Sequence, residues 1–479
     1  MRVDSGQLYI DGAFREAADG RRAEVVNPAT GDAMGSMAQG GAVDARAAVD
    51  AATRAFAAWA ATPAPERAAV LRKAADLILQ RRDAIAALMT REQGKPLRES
   101  AGEVTMTADY FQWNAEEARR IYGDIIPAST RAKRLLVLRQ PVGVTAAITP
   151  WNFPASMIGR KLAPALAAGC TAVLKPAPAT PLVACAILQC LHDAGLPAGV
   201  ANLVAGPAEP IGEVFLTDAR VRKISFTGST AVGKMLLGRA AEQMKKVSLE
   251  LGGHAPFLVF PDADLDQAVE GVVSSRYRNA GQTCICANRL YVHEDIAATF
   301  SQRLAARVQS LRVGRGDDPS VDVGPLIGAA AVERVRAQVE DGLARGGRLL
   351  CGGEPLPGPG YFFQPTVIAD LPPDALLRNQ ETFGPLLGLW SFRDEAEAIA
   401  LANDTPYGLA AYLYTRDLGR AVRVSEALEY GIVGVNDPVP ATVQAPFGGV
   451  KESGMGREGG YEGLLGFLET KFVSLAVPS

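Results

Sequence analysis

Between Val144 and Leu251 the chain alternates short apolar runs with longer helical stretches, which leaves few folds open to it. Val144 to Thr149, Thr171 to Leu174, Ala201 to Val204, Lys223 to Thr227 and Val247 to Leu251 read as strands. Pro154 to Ala168, Thr180 to Ala194, Glu209 to Thr217 and Ala231 to Glu242 read as the helices between them. Such alternation predicts parallel β-α-β units with helices on both faces of the sheet. In an open sheet of this kind ligands bind beyond the strand C-termini.

The flanking segments read differently. Ala42 to Ala60 carries Val43, Val49, Phe56 and Trp59 at helical spacing. Pro65 opens a second helix expected to run to about Glu92. Gly94-Lys95-Pro96 stops it, and a third helix runs to about Tyr122. Arg134 to Gln140 reads as a strand ending at Pro141. A second β-α series starts near Pro256, with a helix over Leu265 to Asn279, a strand over Arg289 to Val292 and a helix over Glu294 to Leu311, and continues to Gly434. The last strand-like run, Lys471 to Val477, has apolar residues that need a partner, and pairing with another subunit is expected.

A chain of 479 residues is too long for one ordinary core, so two or three domains are expected. Hydrophobic content of 48% and charged content of 21% are those of a soluble globular protein. A net charge of −3 with no lysine/arginine run makes nucleic acid and anionic membrane poor partners, and neither is expected. Met1 to Gly6 lacks the apolar core of a signal peptide. The run Leu162 to Leu174 is interrupted by Pro164 and Gly169 and is too short to span a bilayer. Six cysteines without CxxC spacing make no disulfide framework, which fits a reducing cytoplasm.

Chemistry concentrates at Cys284, in Asn279-Ala280-Gly281-Gln282-Thr283-Cys284-Ile285-Cys286. Upstream, Leu249-Glu250-Leu251-Gly252-Gly253 ends an apolar strand with a lone carboxylate. A thiol in a glycine-bearing loop and a buried carboxylate point to a covalent enzyme with its own general base. With only three histidines (His192, His254, His293), a Cys–His pair or an imidazole metal site is hard to assemble. No metal is expected. Cys170, Cys185, Cys190 and Cys351 lie in small apolar runs and read as buried packing residues. Cys284 is preceded by polar, flexible residues, and a thiol with a free pKa near about 8.5 needs help from its surroundings to attack.

Two turns suit a nucleotide. Ile224-Ser225-Phe226-Thr227-Gly228-Ser229-Thr230 is a strand, a tight turn and a helix start, where unpaired N–H groups favour phosphate. Ser229 or Thr230 would cap that helix; a plain cap explains the turn equally well. Val173-Leu174-Lys175-Pro176-Ala177-Pro178 sets a lysine just past a buried strand, where a doubly wound sheet holds a ribose.

Taken together, Pro150-Trp151-Asn152-Phe153-Pro154, Lys175-Pro176-Ala177-Pro178, Phe226-Thr227-Gly228-Ser229-Thr230, Leu249-Glu250-Leu251-Gly252-Gly253, Gly281-Gln282-Thr283-Cys284, Glu381-Thr382-Phe383-Gly384-Pro385 and Pro446-Phe447-Gly448-Gly449 resemble the aldehyde dehydrogenase superfamily, in its order and over nearly the whole chain. Within it, Arg278 to Arg289 and Glu429 to Asn436 are most similar to succinate-semialdehyde dehydrogenases.

The resemblance implies an α/β architecture. A doubly wound open-sheet cofactor domain would use 1–122 and 142–252, an α/β catalytic domain 253–452, and a small β oligomerisation arm 123–141 with 468–479. It implies a homodimer or homotetramer. It also implies NAD or NADP as cofactor, held by Trp151, Lys175, Pro178, Gly228, Ser229, Leu251, Glu381 and Phe383. Proline at 178 decides neither nucleotide, because it replaces the side chain on which the family's preference leans.

The implied reaction has Cys284 attack the aldehyde carbon, with the Asn152 amide and the Cys284 backbone N–H holding the oxyanion, a donor worth roughly 100- to 1000-fold in rate. Hydride leaves to the nicotinamide, and Glu250 activates water to hydrolyse the thioester. Arg160 and Arg278 would grip a carboxylate at the substrate's far end, with Thr442 and Phe447 beside them. Ala441 stands where the semialdehyde enzymes carry a hydroxyl, so succinate semialdehyde shares the field with glutarate and 2-oxoglutarate semialdehydes. Cys286 is either packing or the partner of a reversible disulfide with Cys284. A nucleotide-independent cysteine hydrolase and a non-catalytic binding protein are the competing classes. The cofactor-side motifs oppose the first, and intact Cys284, Glu250 and Asn152 oppose the second.

Overall fold

A computed structural model describes residues 4–477. Met1 to Val3, part of the N-terminal stretch read for a signal peptide, and the last two residues of the 468–479 arm lie outside the described residues.

Two sheets carry the chain. The first has eight strands, and its parallel centre is Lys246–Glu250, Val221–Thr227, Val144–Ile148, Thr171–Lys175 and Ala201–Leu203, side by side in that order. These strands are almost wholly buried, as β-α-β strands covered on both faces must be. The helices Ser156–Ala168, Pro181–Asp193, Ala208–Thr217 and Thr230–Ala241 connect them, within a residue or two of the expected bounds. The second sheet has seven strands. Its parallel core orders Thr366–Ala369, Leu386–Phe392, Ala287–His293, Ala255–Val259, Ala410–Tyr414 and Ile432–Val435. Each sheet has its own apolar core, one around Leu8, Phe111, Leu166 and Phe215, the other around Phe257, Leu290, Val335 and Leu387.

Several expectations change. The N-terminal third is not only helical, since five short strands occupy Ser5 to Ala38 before the first helix. The helix expected from Pro65 to Glu92 is two helices, Ala64–Gln80 and Arg82–Gln93, divided at Arg81. The helix expected to reach Asn279 ends at Tyr277, because Asn279 and Ala280 adopt left-handed backbone with φ of 51° and 53°. Gly281 follows at φ 71°, where a Cβ would meet Gly384 O at 2.2 Å, so only glycine fits.

The C-terminal strand Leu468–Ala476 finds its partner within the chain. It pairs antiparallel with Lys133–Pro141 over nine residues, the full length of both strands. Its other edge is open, and Phe472 and Leu475 are exposed. The stretch between 453 and 467 joins the first sheet: Gly454–Met455 pairs with Leu249 and Glu250, and Leu464 and Phe467 enter that core. No helix among the described residues is long and apolar enough to cross a membrane.

Candidate active site

Cys284 lies in the loop between the helix Leu265–Tyr277 and the strand Ala287–His293. The loop is pinned by the fully buried Arg276, which no sequence pattern singled out. Arg276 Nη1 donates to Ala287 O at 2.9 Å and Asn288 Oδ1 at 3.0 Å, and Nη2 donates to Gly384 O. Cys286 sits behind the loop, its sulfur 3.2 Å from Arg276 Nη1 and its thiol donating to Gly281 O at 3.4 Å. Every cysteine among the described residues is a free thiol.

Cys284 is half-buried where two cavities meet, each of about 240 Å³. The first is lined by Trp151, Asn152, Gly228, Ser229, Leu251, Glu381 and Phe383 among others. The second is lined by Arg160, Arg278, Phe447, Ala441 and one face of the helix Leu97–Glu117. Burial, with Glu381 and Glu250 nearby, pushes the Cys284 thiol up to about 12, while Arg160 opposes the shift. A thiol so placed needs a base.

Glu250 ends its strand 2% exposed, and neither carboxylate oxygen has a hydrogen-bond partner. Burial first, then the neighbouring Glu458, raises its pKa well above the ordinary carboxylate range; Lys161 and Arg160 oppose this. Glu458 itself is buried and paired with the Lys161 ammonium. Gly448 leaves room, since a Cβ there would lie 2.9 Å from Glu250 Oε1.

Asn152 is held on several sides. Its Nδ2 donates to Gln282 O at 3.0 Å and its Oδ1 accepts from Phe153 N at 3.1 Å. Its carbonyl accepts from Lys95 Nζ at 2.7 Å and from Asn279 Nδ2 at 3.0 Å. Lys95, fully buried, also bonds Glu103 Oε2 at 2.5 Å. The other oxygen of Glu103 accepts from Ala155 N and Ser156 N at 2.9 and 3.1 Å, at the start of the helix that carries Arg160. Lys95 and Glu103 were missed from sequence, where lone charges read as surface.

The nucleotide-side residues fit a dinucleotide. Lys175 is 4% exposed, and its ammonium has one long bond, 3.4 Å to Pro176 O. Burial lowers it to about 8, and spare donors so placed suit hydroxyls or a phosphate. Ser229 Oγ caps the helix Thr230–Ala241 by accepting from Val232 N at 3.5 Å, leaving an anion-favouring helix N-terminus at the cavity. Glu381 accepts from Gly253 N at 3.0 Å, and burial raises it to about 7. Phe383, at φ 52°, meets Trp151 edge-on at 5.4 Å. Lys175 and Pro178 lie outside the cavity wall, and Pro178 is exposed.

On the other side, Arg160 Nε donates to Tyr110 Oη at 2.7 Å while Nη1 is buried without a partner. Its guanidinium lies 3.8 Å over the Phe447 ring centroid. The Arg278 guanidinium lies 5.5 Å from the Phe153 centroid. Thr442 is not brought to this cavity: Ala441 takes the wall position, and the Thr442 hydroxyl turns to Gln444 Oε1. No cluster of potential metal ligands occurs among the described residues.

A fold of two β-α sheets with a thiol and a carboxylate at their junction, between a nucleotide-like and an arginine-lined cavity, defines an oxidoreductase of the aldehyde dehydrogenase type. The aldehyde dehydrogenase family model matches residues 14–473, and the chain belongs to that family. It is 52% identical to the succinate-semialdehyde dehydrogenase [NADP(+)] of Escherichia coli over 98% of both chains. It is 50% identical to the glutarate-semialdehyde dehydrogenase of Pseudomonas putida, again over 98% of both. The crystal structure of succinate-semialdehyde dehydrogenase from Burkholderia pseudomallei superposes with a TM-score of 0.98 at 48% identity, covering 99% of this chain and 98% of that one.

Proposed function

We propose that this protein oxidises a short aldehyde bearing a terminal carboxylate, succinate semialdehyde or its glutarate homologue, to the diacid with NAD or NADP. One observation carries the substrate class: Arg160 Nη1 is buried and unpartnered in the cavity that also holds Cys284 and Arg278. A buried guanidinium donor without an acceptor is costly, and a carboxylate binding two arginines removes that cost through charge-assisted bonds. The relatives named for succinate and glutarate semialdehydes support both chain lengths.

The residues divide the work as follows. Glu250 takes the Cys284 proton, and the sulfur adds to the aldehyde carbon. The oxyanion is held by the Asn152 amide and the Cys284 backbone N–H. Lys175, Glu381 and the Gly228–Ser229 helix start would hold NAD or NADP, which would supply the acceptor for the aldehydic hydride, and Cys284 would then carry the acyl group as a thioester. Glu250 gives that first proton to solvent and, ionised again, removes a proton from water as the water oxygen attacks the thioester carbonyl. The carbon–sulfur bond breaks, the Cys284 thiolate takes the proton from Glu250, and the acid leaves. The raised pKa of Glu250 makes it a stronger base near neutral pH than an exposed carboxylate.

The arm formed by 123–141 and 468–477 is assigned to subunit assembly as a dimer or tetramer, a reading supported by its open edge and exposed Phe472 and Leu475. A cofactor domain of 1–122 and 142–252, which also carries Asn152 and Glu250, and a catalytic domain of 253–452, which carries Cys284 together with Glu381 and Phe383, complete the assignment, and a cytoplasmic enzyme accords with six unpaired thiols.

The test crosses succinate semialdehyde and butanal with NAD and NADP, following absorbance of the reduced nucleotide. The acid is preferred in the native protein, and Arg278→Ala abolishes that preference while butanal turnover changes little. Equal turnover of both aldehydes in the native protein refutes the carboxylate pocket.

A further inference from the structure

The wall of the substrate cavity contains a glycine that the helix itself does not want. Gly102 stands inside the helix Leu97–Glu117, where glycine is unfavourable relative to alanine. Packing does not require it, because a Cβ at Gly102 would meet no heavy atom within 4 Å. Gly159 is the contrast: a Cβ there would press on Thr107 O and Tyr110 Cβ at 3.2 Å, where two helices cross. Gly102 is exposed, and with Glu99, Glu103 and Met106 it lines the cavity from one helix face.

We propose that Gly102 is a chain-length determinant, leaving a notch that lets the cavity hold a five-carbon as well as a four-carbon oxo-acid. This rests on the carboxylated-aldehyde reading above. Both ends of such a substrate are fixed, the carbonyl carbon at Cys284 and the carboxylate at Arg160 and Arg278. An added methylene must therefore bow sideways. Phe153, Phe447, Met157 and Ile285 are bulky walls. Of the other small residues, Ala441 packs on the core around Phe447, and Ser156 is held at its helix start by Glu103. Gly102 is the lining position at which an added Cβ would meet no heavy atom within 4 Å.

The test compares native enzyme, Gly102→Ala and Gly102→Leu in kcat/KM for glutarate and succinate semialdehydes, with thermal melts alongside. Filling a methylene-sized space discriminates by about 10- to 200-fold. The glutarate-to-succinate ratio is expected to fall by that factor in Gly102→Leu and by less in Gly102→Ala. The alanine variant is also expected to melt higher, and it carries the test if the leucine variant does not fold. A ratio unmoved in both variants, or a lower melting point for Gly102→Ala, overturns the inference and leaves the substrate class intact. Native enzyme that turns over neither acid overturns both.

Discussion

Replacing Lys95 with methionine separates stability from rate. Lys95 Nζ holds Glu103 at 2.5 Å and the Asn152 carbonyl at 2.7 Å, all three buried. Removing one partner of a buried pair strands the other charge, a loss of about 3–5 kcal/mol. The rate falls for a different reason. Losing an oxyanion donor outright costs roughly 100- to 1000-fold. Here the Asn152 carbonyl keeps one of its two anchors, Asn279 Nδ2 at 3.0 Å. Half of that free energy corresponds to about a 10- to 30-fold loss of kcat. KM for the nucleotide stays near its native value, because Lys175 and Glu381 are untouched. The double variant Lys95→Met/Glu103→Gln removes both charges, and the glutamine oxygen can still accept from Ala155 N and Ser156 N. Urea midpoints should recover most of the lost stability in the double variant, and initial rates should not recover. A double variant with native kcat would refute the argument that Lys95 positions Asn152.

Two more perturbations test the base and the second thiol. Glu250 acts as a base only when ionised, so its raised pKa makes the rate climb with pH from the acid side. Glu458→Gln deletes a neighbouring negative charge and leaves Lys161 uncompensated, which both favour the ionised form; the acidic limb of kcat should move to lower pH, and an unmoved limb would remove Glu250 from the rate-limiting titration. Peroxide should oxidise the accessible Cys284 to a sulfenic acid, which condenses with the Cys286 thiol to a disulfide with loss of water. In Cys286→Ala no thiol traps the sulfenic acid, so continued peroxide takes it on to the irreversible sulfinic acid; dithiothreitol reversal after prolonged exposure should then be lost, and equal reversibility in both proteins would make Cys286 a packing residue.

What could be read before the structure was what leaves a periodic or local trace. The central strands of the first sheet are continuous apolar runs between turn signals, and they appear within a residue or two of expectation. Cys284 and Glu250 stood out because polar or acidic residues interrupt apolar surroundings. The break at Arg81 was hidden because neither glycine nor proline marks it. The strands over Ser5 to Ala38 are two to six residues long and mix arginine, glycine and alanine, too short to show alternation. The buried ion pairs were hidden for a stronger reason. Lys161 and Glu458 are 297 residues apart, and only the return of the chain to the first sheet at Gly454 brings them together. Thr442 illustrates the opposite error: adjacency to Ala441 in sequence does not carry a side chain to the same wall.

The meeting of two cavities at one sulfur has a kinetic consequence. Among the residues lining them, only Cys284 and Met157 belong to both. On the proposed assignment nucleotide and aldehyde occupy different chambers, so release of one does not require release of the other. The spent nucleotide can depart while the acyl group is still attached to sulfur. Turnover can thus be throttled at either mouth independently, and a wall substitution in one chamber can change residence time there while the opposite chamber exchanges its occupant as before.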